Sequence, residues 1–184
     1  VSLRRKKTFV VYREAKKVGA YDERPMLPDD AHVQLCLSRN DHPQPFYLVC
    51  EKDTMLVVFA GRGRLAFKDT GVLYFPLEPG DHVYIPAGAP SRIVPEPGSE
   101  LIVLRYKAQV PGLEGVAWYC DSCGAQLHRH VFDTARTVPQ AGYLAGARAF
   151  NADASLRSCT CGSHHPALDL GRYRWEQLAA ALTA

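Results

Sequence analysis

Apolar and polar residues follow the short period of extended chain, not of helix, through most of the first 110 positions. The segment HVQLCLS (32–38) alternates and is rich in strand formers. TMLVVFAGRGRLAF (54–67) is two apolar runs joined by Gly-Arg-Gly, the pattern of a hairpin. GVLYFPLEPGDHVYIPAG (71–88) continues with a turn at Pro79-Gly80, and SELIVLRYKA (99–108) is a further strong strand. Short strands at regular spacing predict an all-β sandwich or barrel. Residues 25–110 contain no βαβ pattern and no internal repeat.

The pattern changes near AQVPGLEGVAW (108–118), after which come paired cysteines and an Ala/Gly-rich stretch. The chain ends in GRYRWEQLAAALTA, where Trp175, Leu178, Ala179 and Leu182 share one face of a short helix. That face is expected to pack on the barrel or on a second copy. The division expected is therefore 1–110, a barrel with its N-terminal segment, and 111–184, a tail with its own metal site and the terminal helix.

Composition narrows the class. With 184 residues, 47% hydrophobic and 22% charged, the chain can bury one good core. A net charge of +3 is too mild to argue for nucleic acid or an anionic membrane as partner. The opening LRRKK (3–7) reads as a solvated terminus. No run of 18 apolar residues and no secretory core is present, so a cytoplasmic protein is expected; the first residue is Val1, so some upstream sequence is expected too.

Of six cysteines, Cys36 and Cys50 stand alone, while Cys120, Cys123, Cys159 and Cys161 form two close pairs. In a cytoplasmic chain such pairs suggest a metal site before a disulfide framework. Thiolates two residues apart on a turn can bind one ion together, and Gly124 lets the turn's amides approach the sulfurs. Two pairs give a closed tetrahedral S₄ site for structural zinc or iron, with no open position for catalysis. The second pair has one spacer residue where two are usual; His164 and His165 are reserve ligands.

Two sets of residues carry a resemblance. EPGDHVYIPAGAPSRIVPE (78–96) has the layout of a cupin's second metal motif, with Gly80, Pro86 and Gly88 in place. GVAWYCDSCGAQLHRHV (115–131) and SCTCGSHHP (158–166) resemble bacterial 3-hydroxyanthranilate 3,4-dioxygenase over roughly residues 30–166. The resemblance implies a cupin (double-stranded β-helix, jelly-roll) barrel, a homodimer, a rubredoxin-like metal site in the tail, and an aromatic ring opened by iron and O₂. Its catalytic iron is held by two histidines and a glutamate. Counting from the glycine turn, those positions fall here on Cys50, Ser91 and Leu56. An anchor two residues earlier puts Thr54 at the carboxylate and does not restore the set. The substrate-binding glutamate falls on Arg105, and the two arginines fall near Phe46 and Pro95, with Arg92 close by.

The expectation is a divergent member of this type without catalytic metal in the barrel, binding a small aromatic acid of anthranilate type. Cys50, Ser91, Arg92 and Arg105 would line the pocket, with Phe46 and Tyr84 as stacking surfaces. An arginine fork suits a carboxylate; otherwise Arg105 is a surface cation at a strand end. Two alternatives stand beside this reading. One is a metal-free enzyme with Cys50 as nucleophile, activated by Lys52 on the same strand face. The other is an iron dioxygenase with ligands relocated to His42, Glu51, Asp53 or His82. Pleating counts against Glu51 and Asp53, which should face away from Cys50.

Overall fold

The structure is a computed structural model that describes residues 5–183. Its strands are β1 (Arg24–Pro25), β2 (Val33–Asn40), β3 (Tyr47–Cys50), β4 (Thr54–Ala60), β5 (Gly63–Phe67), β6 (Tyr74–Leu77), β7 (His82–Ile85), β8 (Ser91–Pro95), β9 (Leu101–Ala108), β10 (Leu113–Tyr119) and β11 (Gln126–Asp133). They form two antiparallel sheets, ordered β1-β2-β9-β4-β7 and β11-β10-β3-β8-β5-β6. From β4 onward the chain repeatedly crosses between them, so consecutive runs pair with strands distant in sequence. This is the all-β cupin barrel expected, closed as a jelly roll.

Alternation along β9 shows how the barrel is filled. Leu101 and Val103 belong to the interior core with Leu48, Leu56, Val58, Leu65 and Ile93. Leu104 points the other way, into a second cluster with Val18, Met26, Leu35, Leu37 and Val57, where the N-terminal segment covers the first sheet's outer face. By the same two-residue period, Arg105 and Lys107 point inward. Two cations thus lie in a barrel interior, and both are buried.

Three helices, α1 (Val11–Ala15), α2 (Pro139–Ala152) and α3 (Trp175–Thr183), complete the fold. No strand or helix signal in the Ala/Gly-rich stretch pointed to α2, because its contact face is made of small residues. A Cβ on Gly142 would sit 2.5 Å from the Phe132 ring, and one on Gly146 would sit 2.6 Å from Val116. The missing side chains let the helix lie directly on β10 and β11. Tyr143 and Phe150 of α2 join Phe46, Trp118 and Trp175 in an aromatic cluster, with Trp118 stacked on Phe150 at 4.3 Å. Trp175 and Leu178, on the apolar face of α3, are both buried.

Strand β10 lies beyond the expected division at 110/111, yet it is hydrogen-bonded to β3 from Glu114↔Cys50 to Ala117↔Tyr47. The second sheet therefore runs through the division. The opening basic run is partly engaged: Lys6 donates to buried Glu14, and Arg5 pairs with Asp29. Residues 3 and 4 of that run lie outside the described residues. Among the described residues no helix is long and apolar enough to cross a membrane.

Candidate functional site

Two places gather chemistry: the turns that carry the paired cysteines, and the inside of the barrel. β10 delivers Cys120 to a tight turn in which the Cys120 amide donates to Ala125 O at 2.8 Å and the Gly124 amide donates to Cys120 O at 2.8 Å. The second knuckle is built alike. The Cys159 amide donates to Ser163 O at 2.8 Å and the Gly162 amide to Cys159 O at 2.9 Å, flanked by a bridge between Ser158 and His164. Gly124 and Gly162 have φ of +78° and +88°, a conformation that side chains other than glycine resist. Each cysteine pair is followed at once by the residue that lets its turn close. The single spacer at Thr160 does not prevent this.

The four sulfurs converge. Cys120 Sγ lies 3.6 Å from Cys161 Sγ and Cys123 Sγ lies 3.5 Å from Cys159 Sγ. All four lie within 4.8 Å of one another. A tetrahedron with metal–sulfur bonds of about 2.3 Å has edges of about 3.8 Å, so the set can hold one metal ion. Amide donation from Cys123 and Ser122 brings the Cys120 thiol down to about 6. At Cys161 the Ser163 amide pulls the same way, but the neighbouring sulfurs outweigh it and push the thiol up to about 12. Four thiolates cannot crowd together without a cation among them. His164 bonds instead to Ser158 Oγ and lies beside Arg157, and His165 bonds to Pro166 O.

Inside the barrel, Cys50, Ser91 and Arg105 line one small void with Lys52, Thr54 and Ile85. Its free volume is about 10 Å³, room for about one water molecule. Next to it lies a network of paired charges. Lys107 donates to Glu114 Oε1, and Arg105 Nε donates to Glu23 Oε1 at 3.3 Å. All four side chains are no more than 6% exposed. Burial works against both cations, but the facing carboxylates outweigh it and hold the pKa of each above its ordinary value. Cys50 Sγ lies 3.9 Å from the same Glu114 oxygen that Lys107 engages. Burial pushes the thiol of Cys36, which faces this interior from β2, up to about 12.

The two-histidine, one-glutamate iron site that the resemblance implies does not fit the residues at its three positions. The three positions in question carry Cys50, Leu56 and Ser91, of which Leu56 has no donor. Among the described residues only the tail cysteines form a group of three or more His, Cys, Asp or Glu donors close enough to share an ion. The relocated candidates are scattered. Glu51 accepts from the Leu113 amide, Asp53 from Tyr84 and the Ala87 amide, and His82 bonds to Gly80 O, all exposed. His42 lies between Asp41 and Tyr173.

The expected pocket residues are divided by the fold. Cys50, Ser91 and Arg105 share the interior void, and Lys52 joins Cys50 there from the bend that follows β3. Phe46 is a core residue packed on Trp118, Tyr143 and Trp175. Arg92 points to the outer face, donating to Gln44 O and lying over the Tyr47 ring. Tyr84 is 54% exposed and donates to Asp53. Arg105 is not a surface cation: Glu23 buries it from outside the barrel sequence. Sequence reasoning missed Glu23, Lys107 and Glu114. The signal available was Lys107, two residues after Arg105 on one strand, which places two cations on one face.

No protein-family model matches the chain. It is 34% identical over 94 residues to the 3-hydroxyanthranilate 3,4-dioxygenase of Burkholderia lata, a match covering 49% of this chain and 52% of that enzyme. The chain thus spans about half the length of the curated relative it matches. Among solved structures, it is similar to a cupin protein of Bacteroides fragilis (13% identity, 42% of this chain and 66% of that one, TM-score 0.38). It is also similar to a Neisseria meningitidis protein (15%, 55% and 99%, TM-score 0.46). A hydroquinone 1,2-dioxygenase in complex with Cd²⁺ and 4-hydroxybenzonitrile gives 14% identity over 58% of this chain and 82% of that one, with a TM-score of 0.46.

Proposed function

We propose that this chain is a cupin of the 3-hydroxyanthranilate dioxygenase type whose barrel recognises a small aromatic carboxylic acid without a barrel iron. The observation that carries the reading is Arg105: its guanidinium is buried on the wall of the interior void, and its Nη2 has no hydrogen-bond partner. A buried donor left unpaired costs about 1–3 kcal/mol, and an incoming carboxylate would satisfy it. The half-length match to an aromatic-substrate dioxygenase supports the ligand class. An aromatic ring exceeds the void, so binding requires the rim at Lys52 and Pro86 to open and should be slow. On the same reading the tail cysteines hold one structural zinc or iron, and the protein is a cytoplasmic homodimer.

The test is calorimetry with anthranilate and benzoate on wild type and on Ser91→Val, which fills the void without touching a charge. Saturable binding by wild type, weakened at least tenfold in Ser91→Val, is expected. Anomalous density for iron inside the barrel, or no saturable binding of either acid at millimolar concentration, overturns the proposal.

A further inference from the structure

A second cavity, distinct from the small interior void, lies between β1, β2, the start of α2 and the end of α3. It holds about 410 Å³ and is lined by Glu23, Gln34, Cys36 and Gln140 together with apolar residues that include Leu27, Val110 and Leu182. Its size falls within the range of small-molecule sites. Three of its lining side chains each leave one buried oxygen without a partner: Glu23 Oε2, Gln34 Oε1 and Gln140 Oε1. The Gln140 amide is oriented by its own nitrogen, which donates to Asp22 O at 3.0 Å and Glu23 O at 2.9 Å, so its oxygen is turned away from those carbonyls. The unpaired atoms on these lining side chains are all acceptors.

A second observation points to the same residue. Glu23 has φ of +43° and Tyr21 has φ of +55°, both in the left-handed region that non-glycine residues rarely occupy. Backbone held this way costs about 1–3 kcal/mol per residue and persists only where the surroundings enforce it. Here it sets the Glu23 carboxylate with one oxygen on Arg105 and the other free. The charged lining residues are Glu23, Asp29 and Arg5, and Arg5 is paired with Asp29. Glu23 is itself paired with Arg105, so what the cavity offers is unpaired acceptors and not a net charge.

We infer that this cavity is a binding site for a small primary amine carried on an apolar body. An ammonium group has three N–H donors and no acceptor, matching three acceptors of which one is charged. A carboxylate would meet only acceptors there, and a neutral alcohol brings a single donor. The apolar walls take the rest of the molecule. The cavity does not include the interior void proposed for the acid; Glu23 joins the two through Arg105, and Leu182→Trp and Ser91→Val tell them apart because each fills one space only.

Benzylamine, benzyl alcohol and benzoate are the probes, read by calorimetry and by crystals soaked in each. Benzylamine should bind at least tenfold more tightly than benzyl alcohol, and benzoate should show no saturable binding at this cavity. Leu182→Trp fills the cavity from α3 without touching the polar groups and should weaken benzylamine at least tenfold, with the far-UV spectrum unchanged. Glu23→Gln should erase the preference for amine over alcohol; because it also leaves Arg105 without its carboxylate, the Leu182 variant decides if that protein does not fold. Equal binding of amine and alcohol overturns the inference. So does benzylamine binding that Leu182→Trp leaves unchanged, or soaked crystals with only water on the three oxygens.

Discussion

The tail knuckles and the barrel interior each gather four chemically active groups, and they solve opposite electrostatic problems. Cys120, Cys123, Cys159 and Cys161 are four like ligands whose thiolates would repel one another, a set that a cation could hold together. Glu23, Arg105, Lys107 and Glu114 are two cations and two anions that neutralise one another within the fold. The tail site is open, with Cys123 and Cys161 exposed, while the barrel groups are buried. One region could receive an ion, and the other carries its cations as side chains. A cupin barrel can keep its shape when its interior charge comes from lysine and arginine.

The largest expected effect separates the two regions outright. Structural zinc in zinc-finger peptides contributes about 10–16 kcal/mol of apparent binding energy. Cys123→Ser or Cys159→Ser should take bound metal from one per chain toward none. A strong chelator should lower the melting temperature by about 10 °C or more, as metal analysis with calorimetry would show. The strand signal should survive, because β10 and β11 are held by β3 and α2 as well as by the knuckles. An unchanged melting temperature after complete demetallation would remove the structural role.

The barrel should respond to charge and not to chelator. Lys107→Met leaves Glu114 buried with its Lys107 partner gone, which costs about 3–5 kcal/mol. Adding Glu114→Leu removes the stranded charge and should recover most of that loss, measured by urea unfolding. If the single variant is as stable as wild type, the pair is not the interior's organising contact.

A third experiment converts one region into the other. Cys50→His, Leu56→Glu and Ser91→His together restore an iron-type donor set on the barrel wall. The Lys107 ammonium lies in the same low-dielectric interior and opposes a divalent cation. The triple variant should therefore bind Fe(II) weakly, and adding Lys107→Met should tighten binding about tenfold or more by metal titration. Equal affinity in the two backgrounds would show that Lys107 is too far away to matter.

How much of this was legible in the sequence depends on the range of the interaction. The knuckles were legible because each is local: a cysteine pair and its glycine lie within five residues. The strands of the barrel followed from alternation, and the departure from a two-histidine, one-glutamate set at Cys50, Ser91 and Leu56 was read by counting within a motif. β8 and β10 were not read as strands, since they are short or interrupted by glycine and pair with strands far away in sequence, and β3 was read only as the strand face on which Cys50 was placed. α2 was hidden because Gly142 and Gly146 weaken the apolar period that marks a helix. Glu23 reaches Arg105 across 82 residues, a separation no local pattern encodes. Tyr84 and Arg92 were assigned to the pocket by proximity along the chain, but neighbouring residues on a strand face opposite sides. Arg92 follows inward-facing Ser91, and Tyr84 precedes inward-facing Ile85.

The smallest effect concerns a third charged group, which tests whether buried carboxylates here behave alike. Glu14 of α1 is 1% exposed and accepts from Lys6 at 2.5 Å and Lys17 at 3.0 Å. Bonds from the two lysines outweigh its burial and bring its carboxyl down to about 2. Because the folded value is depressed, the contribution to stability is present above the unfolded value of about 4.3 and is lost as pH falls toward 2. Lys6 and Lys17 are 35% and 51% exposed, so solvent and salt screen the pair. About 1 kcal/mol is therefore expected. Wild type should lose this increment between about pH 4.5 and 2, and Glu14→Gln should lack that part of the acid response, as paired urea titrations at pH 7 and pH 3 would show. The Lys107–Glu114 pair has no exposed partner, so raising salt at pH 7 should weaken the Glu14 contribution and leave the barrel pair's unchanged. Equal salt sensitivity at the two sites would mean that the barrel pair is reached by solvent, and the contrast between a sealed interior and an open tail would fail at its first term.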